Sequence, residues 1–235
     1  MNKNLQQIEK EKLFNPIIII PARIGSTRLK GKLLKKIAGK TMIWHVWSRA
    51  VKSSIGKVVV ATDSKSIADI ILSEGGETFL TEKNHLSGSD RIYEALEVLD
   101  PNEKFDLIIN LQGDLPDIDP SIIDDLFNSV GSEDITTLVK TADNNEIFDS
   151  SVVKVAIAWG KEKKGLKTGS GLYFSRAPIP HNSNEFWHHI GIYAWKRSSL
   201  KRFIKLSQSP LEKVESLEQL RALEAGMKIK VLEIK

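Results

Sequence analysis

Residues 17–32 of the chain read IIIIPARIGSTRLKGK, in which four isoleucines lead into a basic segment that contains two glycines. A short, uninterrupted run of β-branched residues is typical of a parallel strand that is buried on both faces of its sheet. The cations that follow it are Arg23, Arg28, Lys30 and Lys32. The glycines allow backbone N–H groups to approach an anion closely. The segment therefore predicts a core strand that ends in a phosphate-binding loop, with a solvated basic loop as the alternative.

The alternation of strand and helix through the first half of the chain predicts the fold class. Strands are predicted at IIII (17–20), KVVVAT (57–62) and DLIINLQ (106–112). Apolar residues at helical spacing predict helices at 42–51, 67–71, 92–99 and 119–131, the last with Asp119 as N-cap and Gly131 as its stop. This order is typical of a doubly wound α/β protein with a mostly parallel sheet.

The second half of the chain is richer in strand patterns. DITTLV (134–139), VVKVAIAW (152–159), GLYFSR (171–176) and HHIGIYAW (188–195) predict antiparallel strands that either join the same sheet or form a lobe on it. A single last helix is predicted over 209–226, because Ser209 and Glu212 have capping-box spacing and Gly226 follows the last apolar turn. KIKVLEIK (228–235) then alternates like a strand, so the sheet is expected to be mixed.

Composition bounds the class of protein. The 235 residues are 41% hydrophobic with a net charge of +4, which suits one globular domain with a small anionic ligand better than a nucleic-acid surface. The absence of cysteine excludes disulfides and thiolate metal sites, and it fits a cytoplasmic protein. No apolar stretch approaches the ~20 residues of a membrane span, so no membrane insertion is expected. Residues 1–15 are interpreted as a polar N-terminal extension.

Charged side chains follow the predicted strands at their carboxyl ends, where open α/β sheets bind ligands. Asp63 follows the second strand and Asp114 the third, while the first delivers the basic loop. Arginine and lysine suit phosphate oxygens, and a carboxylate suits a magnesium ion that keeps most of its water. This combination indicates a site for a nucleoside triphosphate with Mg²⁺, although Asp63 could equally be an N-cap.

Seven blocks of sequence resemble, in order, those of the 3-deoxy-manno-octulosonate (Kdo) cytidylyltransferases, or CMP-Kdo synthetases. The blocks are IPARIGSTRLKGK, VVVATD, HLSGSDRIYEA, NLQGDLP, YFSRAPIP, HHIGIYAW and SPLEKVESLEQLRALEAG. The resemblance implies a nucleotide-sugar nucleotidyltransferase fold and one domain over 16–235, with a mixed-strand part for sugar binding and dimerisation at about 150–195. It implies a homodimer that uses Mg²⁺ to convert CTP and Kdo into CMP-Kdo and pyrophosphate for lipopolysaccharide synthesis.

The resemblance also implies the site residues. Those expected at the nucleotide are Ala22, Arg23, Ser26, Arg28, Lys32, Ser87, Gly88, Arg91 and Gln112. Those expected at the sugar acid are Gln112, Arg176, His189, Tyr193, Glu218 and Gln219. Arg23, Arg28, Lys32 and Asp114 would carry the catalysis, with Asp114 also holding magnesium.

The chain departs from the family pattern in ways that leave alternatives open. RLKGKLL stands where RLPGKPL is usual, QGDLP where QGDEP is usual, and His188 where an arginine often precedes the pocket histidine. No segment of the form GVDTPEDL, whose first aspartate is the family's second magnesium ligand, follows KIKVLEIK. A chain without it is expected to bind CTP but to turn over slowly and need raised magnesium. The alternatives are therefore a cytidylyltransferase for sialic or another 2-keto sugar acid, and a CTP-binding protein with little turnover.

Overall fold

The computed structural model describes residues 14–25, 31–85, 87–162 and 165–234. Strands in these ranges are β1 (Pro16–Ala22), β2 (Lys36–Ile37), β3 (Lys40–Thr41), β4 (Lys57–Thr62), β5 (Glu77–Leu80), β6 (Leu107–Leu111), β7 (Ile135–Thr141), β8 (Lys154–Trp159), β9 (Thr168–Ser175), β10 (Trp187–Lys196) and β11 (Ile229–Glu233). Helices are α1 (Met42–Ser53), α2 (Lys65–Ser73), α3 (Gly88–Leu99), α4 (Pro120–Asn128), α5 (Asn144–Ile147), α6 (Arg197–Ile204), α7 (Pro210–Glu215) and α8 (Gln219–Glu224).

One mixed sheet organises the described part of the chain, with nine strands in the order β5-β4-β1-β6-β10-β7-β11-β9-β8. Strands β5, β4, β1 and β6 are parallel, so their carboxyl ends share one edge. Strand β10 then runs antiparallel to both β6 and β7. The second-half strands thus extend the same sheet instead of forming a separate lobe, and the predicted mixed, doubly wound α/β class is confirmed.

The central strand β1 contributes to both hydrophobic cores. Ile17 and Ile19 face the core that includes α3 and α6, whereas Ile18 and Ile20 face the core that includes α1, α2 and α4. All four side chains are fully buried. This two-sided burial explains why the strand reads as an uninterrupted apolar run.

One predicted helix boundary and one predicted helix are wrong in detail, and the open alternative of Asp63 as an N-cap is not borne out. Helix α4 ends at Asn128, before the predicted stop at Gly131, and α2 is capped by Ser64 and not by Asp63. The helix predicted over 209–226 is two helices, because Ser216 adopts the left-handed conformation (φ 55°) after α7. The predicted capping box of Ser209 and Glu212 is present at the start of α7.

The break between α7 and α8 is stabilised by a buried ion pair. Glu212 receives two bonds from the guanidinium of Arg221, at 2.8 and 2.6 Å, and both side chains are buried. This pair folds α8 back toward α7, and it places Glu218 and Gln219 at the turn. Among the described residues, no helix is long and apolar enough to cross a membrane.

Candidate functional site

A cavity of about 150 Å³ lies at the carboxyl edge of the parallel strands. It is lined by Pro21, Arg23, His85, Ser87, Gly88, Arg91 and Gln112. The structure therefore brings together residues that were predicted from separate motifs to bind a nucleotide. A larger cavity, of about 310 Å³, opens near Phe14 and Arg197 at the opposite edge of the sheet. No predicted site residue lines that larger cavity, so the smaller one is the candidate site.

The basic loop after β1 is anchored at its two described ends. Ala22 is fully buried at the end of β1, next to Thr62 of β4. The backbone N–H of Gly31 donates to the carbonyl of Ile24 at 3.4 Å, and Gly31 has a positive φ of 67°, which suits glycine. Two predicted nucleotide ligands, Ser26 and Arg28, lie outside the described residues.

Asp63 links this loop to α3. Its Oδ1 accepts the backbone N–H of Ile24 at 3.1 Å, and its Oδ2 accepts Nη2 of Arg91 at 3.2 Å. The Arg91 side chain is 3% exposed and the Asp63 side chain 10% exposed, so little solvent screens the ion pair. Both carboxylate oxygens of Asp63 are engaged in these contacts, so Asp63 connects two cavity-lining elements, and Ser64 is the residue that caps α2.

Arg91 is fixed on its other side as well. Its Nη1 donates to the hydroxyl of Thr81 and, at 3.2 Å, to the carbonyl of Glu82. Burial lowers the pKa of Arg91, while the charge of Asp63 opposes that shift and the nearby Arg23 adds to it. Because arginine stays protonated at any ordinary pH, two guanidinium groups supply positive charge to the cavity.

The first turn of α3 forms the wall of the cavity opposite the basic loop. Ser87 caps this helix in a reciprocal box with Asp90, whose carboxylate accepts the Ser87 backbone N–H at 2.9 Å. A Cβ built on Gly88 would lie 3.4 Å from Pro21 and 3.7 Å from Nε2 of Gln112, so glycine keeps this part of the cavity open. A helix N-terminus with free N–H groups favours an anion.

Lys32 and Asp114 form an ion pair near the same sheet edge. Lys32 Nζ lies 3.0 Å from Asp114 Oδ2, and the side chains are 36% and 52% exposed, respectively. A surface pair of this kind contributes little to stability. The pair leaves an ammonium group and a solvent-accessible carboxylate side by side at this edge.

Glu218 and Gln219, predicted at the sugar, lie in the turn that begins α8 and are joined to the nucleotide side of the site. Oε1 of Glu218 accepts the hydroxyl of Ser89 at 2.9 Å. Burial raises the pKa of Glu218, and hydrogen bonds from Ser89 and Ser87 oppose that shift. Gln219 is 3% exposed, and its Nε2 has no hydrogen-bond partner among the described residues.

His189 and Tyr193 lie deeper than a solvent-facing pocket would place them. The His189 ring stands 5.0 Å from Phe174 and 5.4 Å from Tyr193, centroid to centroid, and Nε2 lies 2.9 Å from the Thr137 hydroxyl. Burial lowers the pKa of His189 to about 3, so the ring is neutral at physiological pH. Burial, with the charge of Glu218 second, raises the pKa of Tyr193.

Arg176 already uses most of its donors on backbone carbonyls. Its Nε, Nη1 and Nη2 donate to the carbonyls of Glu215, Ser150 and Ser216 at 2.9, 2.9 and 3.5 Å. These contacts join β9 to the end of α7. The structure thus assigns Arg176 a structural role at the described contacts, and a role at the sugar would draw on its charge more than on free donors.

Sequence reasoning missed three contributors to this region. His85 lines the cavity and contacts the carboxylate of Glu94. Asn110, fully buried in β6, accepts Nε2 of Gln112 at 2.9 Å and so orients it. Ser89 contacts Glu218 from the first turn of α3. The motif HLSGSDRIYEA contains two of the three, but no local pattern identifies their partners.

Known proteins share this arrangement over nearly the whole chain. A family model described as cytidylyltransferase matches residues 17–229. The chain belongs to the cytidylyltransferase family. A 3-deoxy-manno-octulosonate cytidylyltransferase of Brucella anthropi is 50% identical to it over 218 residues, covering 92% of this chain and 86% of the relative. One from Paramagnetospirillum magneticum is 47% identical over 217 residues, covering 91% and 87%.

A solved structure supports the same relationship. The CMP:2-keto-3-deoxy-manno-octonic acid synthetase complexed with CTP matches this cytidylyltransferase with a TM-score of 0.82 and 36% identity. The match covers 94% of this chain and 90% of the solved one. The family resemblance deduced from the sequence motifs is therefore confirmed.

The buried, neutral His189 makes the stability of this cytidylyltransferase depend on pH. The pKa of His189 is about 3 in the folded protein and near the ordinary histidine pKa of about 6.5 in the unfolded chain, so the unfolded chain binds more protons below about pH 6.5. The stabilisation that neutral His189 contributes is therefore fully present above about pH 6.5, and it is lost as the pH falls toward 3. Between pH 8 and pH 5 we expect a loss of about 2 kcal/mol from this group.

Denaturant unfolding of wild type and His189→Gln across this pH range measures the contribution. The glutamine of His189→Gln does not titrate, so between pH 8 and pH 5 the unfolding free energy of this variant should fall by about 2 kcal/mol less than that of wild type. His181→Gln, at an exposed histidine, is the matched control and should keep the wild-type slope. Equal slopes for all three proteins would mean that His189 titrates normally.

Proposed function

We propose that the chain is a CTP:3-deoxy-manno-octulosonate cytidylyltransferase, which forms CMP-Kdo and pyrophosphate for lipopolysaccharide synthesis. The observation that carries the proposal is the gathering of Arg23, Gly88 and Arg91 around one cavity at the carboxyl edge of the parallel strands. Guanidinium groups and a helix N-terminus bind phosphate oxygens. The relatives named for this activity cover nearly the whole chain, and this coverage supports proposing the same substrates for it.

The reaction needs positioning and charge neutralisation more than a reactive side chain. The anomeric hydroxyl oxygen of Kdo would bond to the α-phosphorus of CTP as the bond from that phosphorus to the bridging oxygen breaks. The hydroxyl proton is lost to solvent and pyrophosphate leaves. In transfers of this class the protein mainly aligns the reactants and stabilises developing charge. Arg23 and Lys32 would neutralise the phosphates, with Arg28 as a further proposed cation from the sequence.

The sugar acid is proposed to lie between Gln112 and the turn that carries Glu218. Glu218 offers a carboxylate acceptor for sugar hydroxyls, and Nε2 of Gln219, which has no partner among the described residues, offers a donor. His189 and Tyr193 of β10 would form the floor of this pocket. Tyr193 lies opposite Asn110 of β6, the residue that contacts Gln112.

Magnesium is proposed as the cofactor, with Asp114 as its protein ligand. The described residues contain no group of three or more His, Asp or Glu side chains that could hold a metal ion by themselves. Mg²⁺ is commonly held by one or two carboxylates together with substrate phosphates, and the exposed Asp114 fits that mode. When bound, the ion would supply charge neutralisation and lower the pKa of the attacking hydroxyl.

We also propose that the enzyme acts in the cytoplasm as a homodimer. The proposed substrate CTP is a nucleotide of the cytoplasm, and this supports the proposed location. Exposed apolar side chains in or near residues 150–195, Leu172 at 59% and Phe148 at 82% exposure, support the self-association.

Substrate identity is tested by pyrophosphate release from CTP and Mg²⁺ with alternative sugar acids, after calorimetry has shown CTP binding. Kdo should support turnover, whereas N-acetylneuraminate should give less than about a hundredth of that kcat/KM, a difference of about 2.7 kcal/mol. Faster turnover with N-acetylneuraminate would favour the sialic acid alternative. CTP binding without pyrophosphate release from any sugar would favour a binding protein.

Asp114→Asn should remove turnover while leaving the fold intact. We expect kcat at ordinary magnesium to fall at least about 100-fold, because a ligand to the cation is lost from a half-exposed position that packs against little. Asp117→Asn, at an exposed carboxylate three residues further on, should keep kcat and is the matched control. Pyrophosphate release titrated with Mg²⁺ is the measurement. An unchanged magnesium dependence in the Asp114 variant would remove this residue from the metal site.

Asp63→Asn should weaken CTP binding by uncoupling the basic loop from Arg91. We expect the dissociation constant for CTP, measured by calorimetry, to rise about tenfold, equivalent to about 1.4 kcal/mol. Asp100→Asn is the matched control, because Asp100 and Arg197 form a pair of similar burial, 2.6 Å apart, at the opposite end of α3.

Both variants remove one partner of a buried ion pair, so both should lower the melting temperature. Only the Asp63 variant should lose CTP affinity. If the two variants lose affinity to the same extent, the effect is general destabilisation and Asp63 has no special connection to the loop.

A further inference from the structure

The first turn of α3 contacts both halves of the candidate site through neighbouring residues. Ser87 and Gly88 line the cavity proposed for the nucleotide. Ser89, the next residue, is fully buried, and its hydroxyl donates to Glu218 Oε1 at 2.9 Å. These two residues are 129 positions apart in the chain. A single helical turn therefore joins the nucleotide cavity to the turn proposed to bind the sugar.

The hydroxyl of Ser89 is free for this contact because another serine caps the helix. Ser87 forms the capping box, accepting the Asp90 N–H at 3.3 Å and donating to its carboxylate at 2.8 Å. Ser89 takes no part in that box. A hydrogen bond to a carboxylate is stronger than one between neutral groups. The contact of Ser89 with Glu218 is thus not needed to cap α3, because Ser87 and Asp90 already do so.

Within the part of the chain that the structure describes, Glu218 has few other contacts that would fix its side chain. It follows the left-handed Ser216 and stands as the N-cap of α8, where its own side chain makes no capping bond. The charged and titratable groups near it are Arg221, Asp90 and Tyr193. Arg221 is already paired with Glu212. The Ser89 hydroxyl therefore supplies the directional contact to this carboxylate, whose other oxygen has no hydrogen-bond partner among the described residues.

We propose that Ser89 is a positioning residue that holds the Glu218 carboxylate toward the sugar acid and so ties sugar recognition to the helix that forms the nucleotide cavity. The inference rests on the proposed function and assigns to Ser89 a role at the sugar, even though its sequence neighbours line the nucleotide cavity. Loss of the hydroxyl should therefore weaken the use of Kdo and spare CTP.

The test compares Ser89→Ala with Ser89→Thr, which keeps the hydroxyl, by pyrophosphate release with each substrate varied in turn. Ser89→Ala should raise KM for Kdo about tenfold and leave KM for CTP within about twofold. Ser89→Thr should restore KM for Kdo to within about threefold of wild type. Ser66→Ala changes the corresponding, exposed serine in the first turn of α2 and should behave as wild type.

A pH profile separates positioning from packing. Removing a hydrogen bond that favours the carboxylate raises the pKa of Glu218, so the acid limb of kcat/KM for Kdo should move to higher pH in Ser89→Ala. In a double-mutant cycle, Glu218→Gln should make the Ser89→Ala change nearly silent. If Ser89→Ala proves too unstable to assay, Ser89→Cys, with its weak donor, takes its place with the same expected direction.

The outcomes that overturn the inference differ from those that overturn the proposed function. Unchanged KM for Kdo, an equal rise in KM for CTP, or additive effects in the cycle would each remove Ser89 from sugar positioning. A wild-type chain that releases no pyrophosphate with Kdo would instead refute the proposed function itself.

Discussion

The parallel pairing of β1 with β4 and β6 is the constraint on which the site depends. Because both faces of β1 are packed against helices, the strand has room only for apolar side chains. Polar residues are therefore confined to the point where the strand leaves the sheet. The register sets Ala22 of β1 opposite Thr62 of β4, so the loops that follow both strands emerge at the same level. The burial that stabilises the sheet thus also concentrates the charged residues at one edge.

At that edge, Asp63 is the counterion of the buried Arg91. Arg91 is almost wholly buried, and an unpaired guanidinium there would carry a large desolvation cost. Asp63 offsets this cost with one carboxylate oxygen and uses the other to hold the backbone of the loop that contains Arg23. A single side chain thereby couples the stability of α3 to the position of the phosphate-binding segment. An asparagine would keep the shape of this link but not its charge.

Much of the fold and about half of this site follow from local sequence patterns. The placement of Gly88 and Arg91 beside Arg23 was expected from the family resemblance alone. The strands of the first half and the capping box at Ser209 depend on periodicity and cap spacing, which local sequence encodes. The break after α7 does not. SLEQL continues a good helical pattern, and tertiary contacts stabilise the break at the left-handed Ser216. Glu212 pairs with Arg221, and Arg176 donates to the carbonyls of Glu215 and Ser216. Likewise, no spacing rule distinguishes Asp63 as an N-cap from Asp63 as the partner of Arg91.

The antiparallel strand β10 explains how residues from the end of the chain reach a site built at its beginning. It lies between β6 and β7, so it pairs Tyr193 with Asn110 of β6 and faces Gly191 toward Gln112. The register shift between Ile190 and Tyr193 redirects the strand at that level. An additional parallel strand in this place would have needed a crossover connection and would have carried its loop to the same crowded edge. The antiparallel β10 instead places residues of the strand itself at this edge. Glu218, at the start of α8, then contacts Ser89 in the first turn of α3. The site is therefore closed by contacts between residues distant in sequence, such as Ser89 with Glu218, and no single motif encodes such a contact.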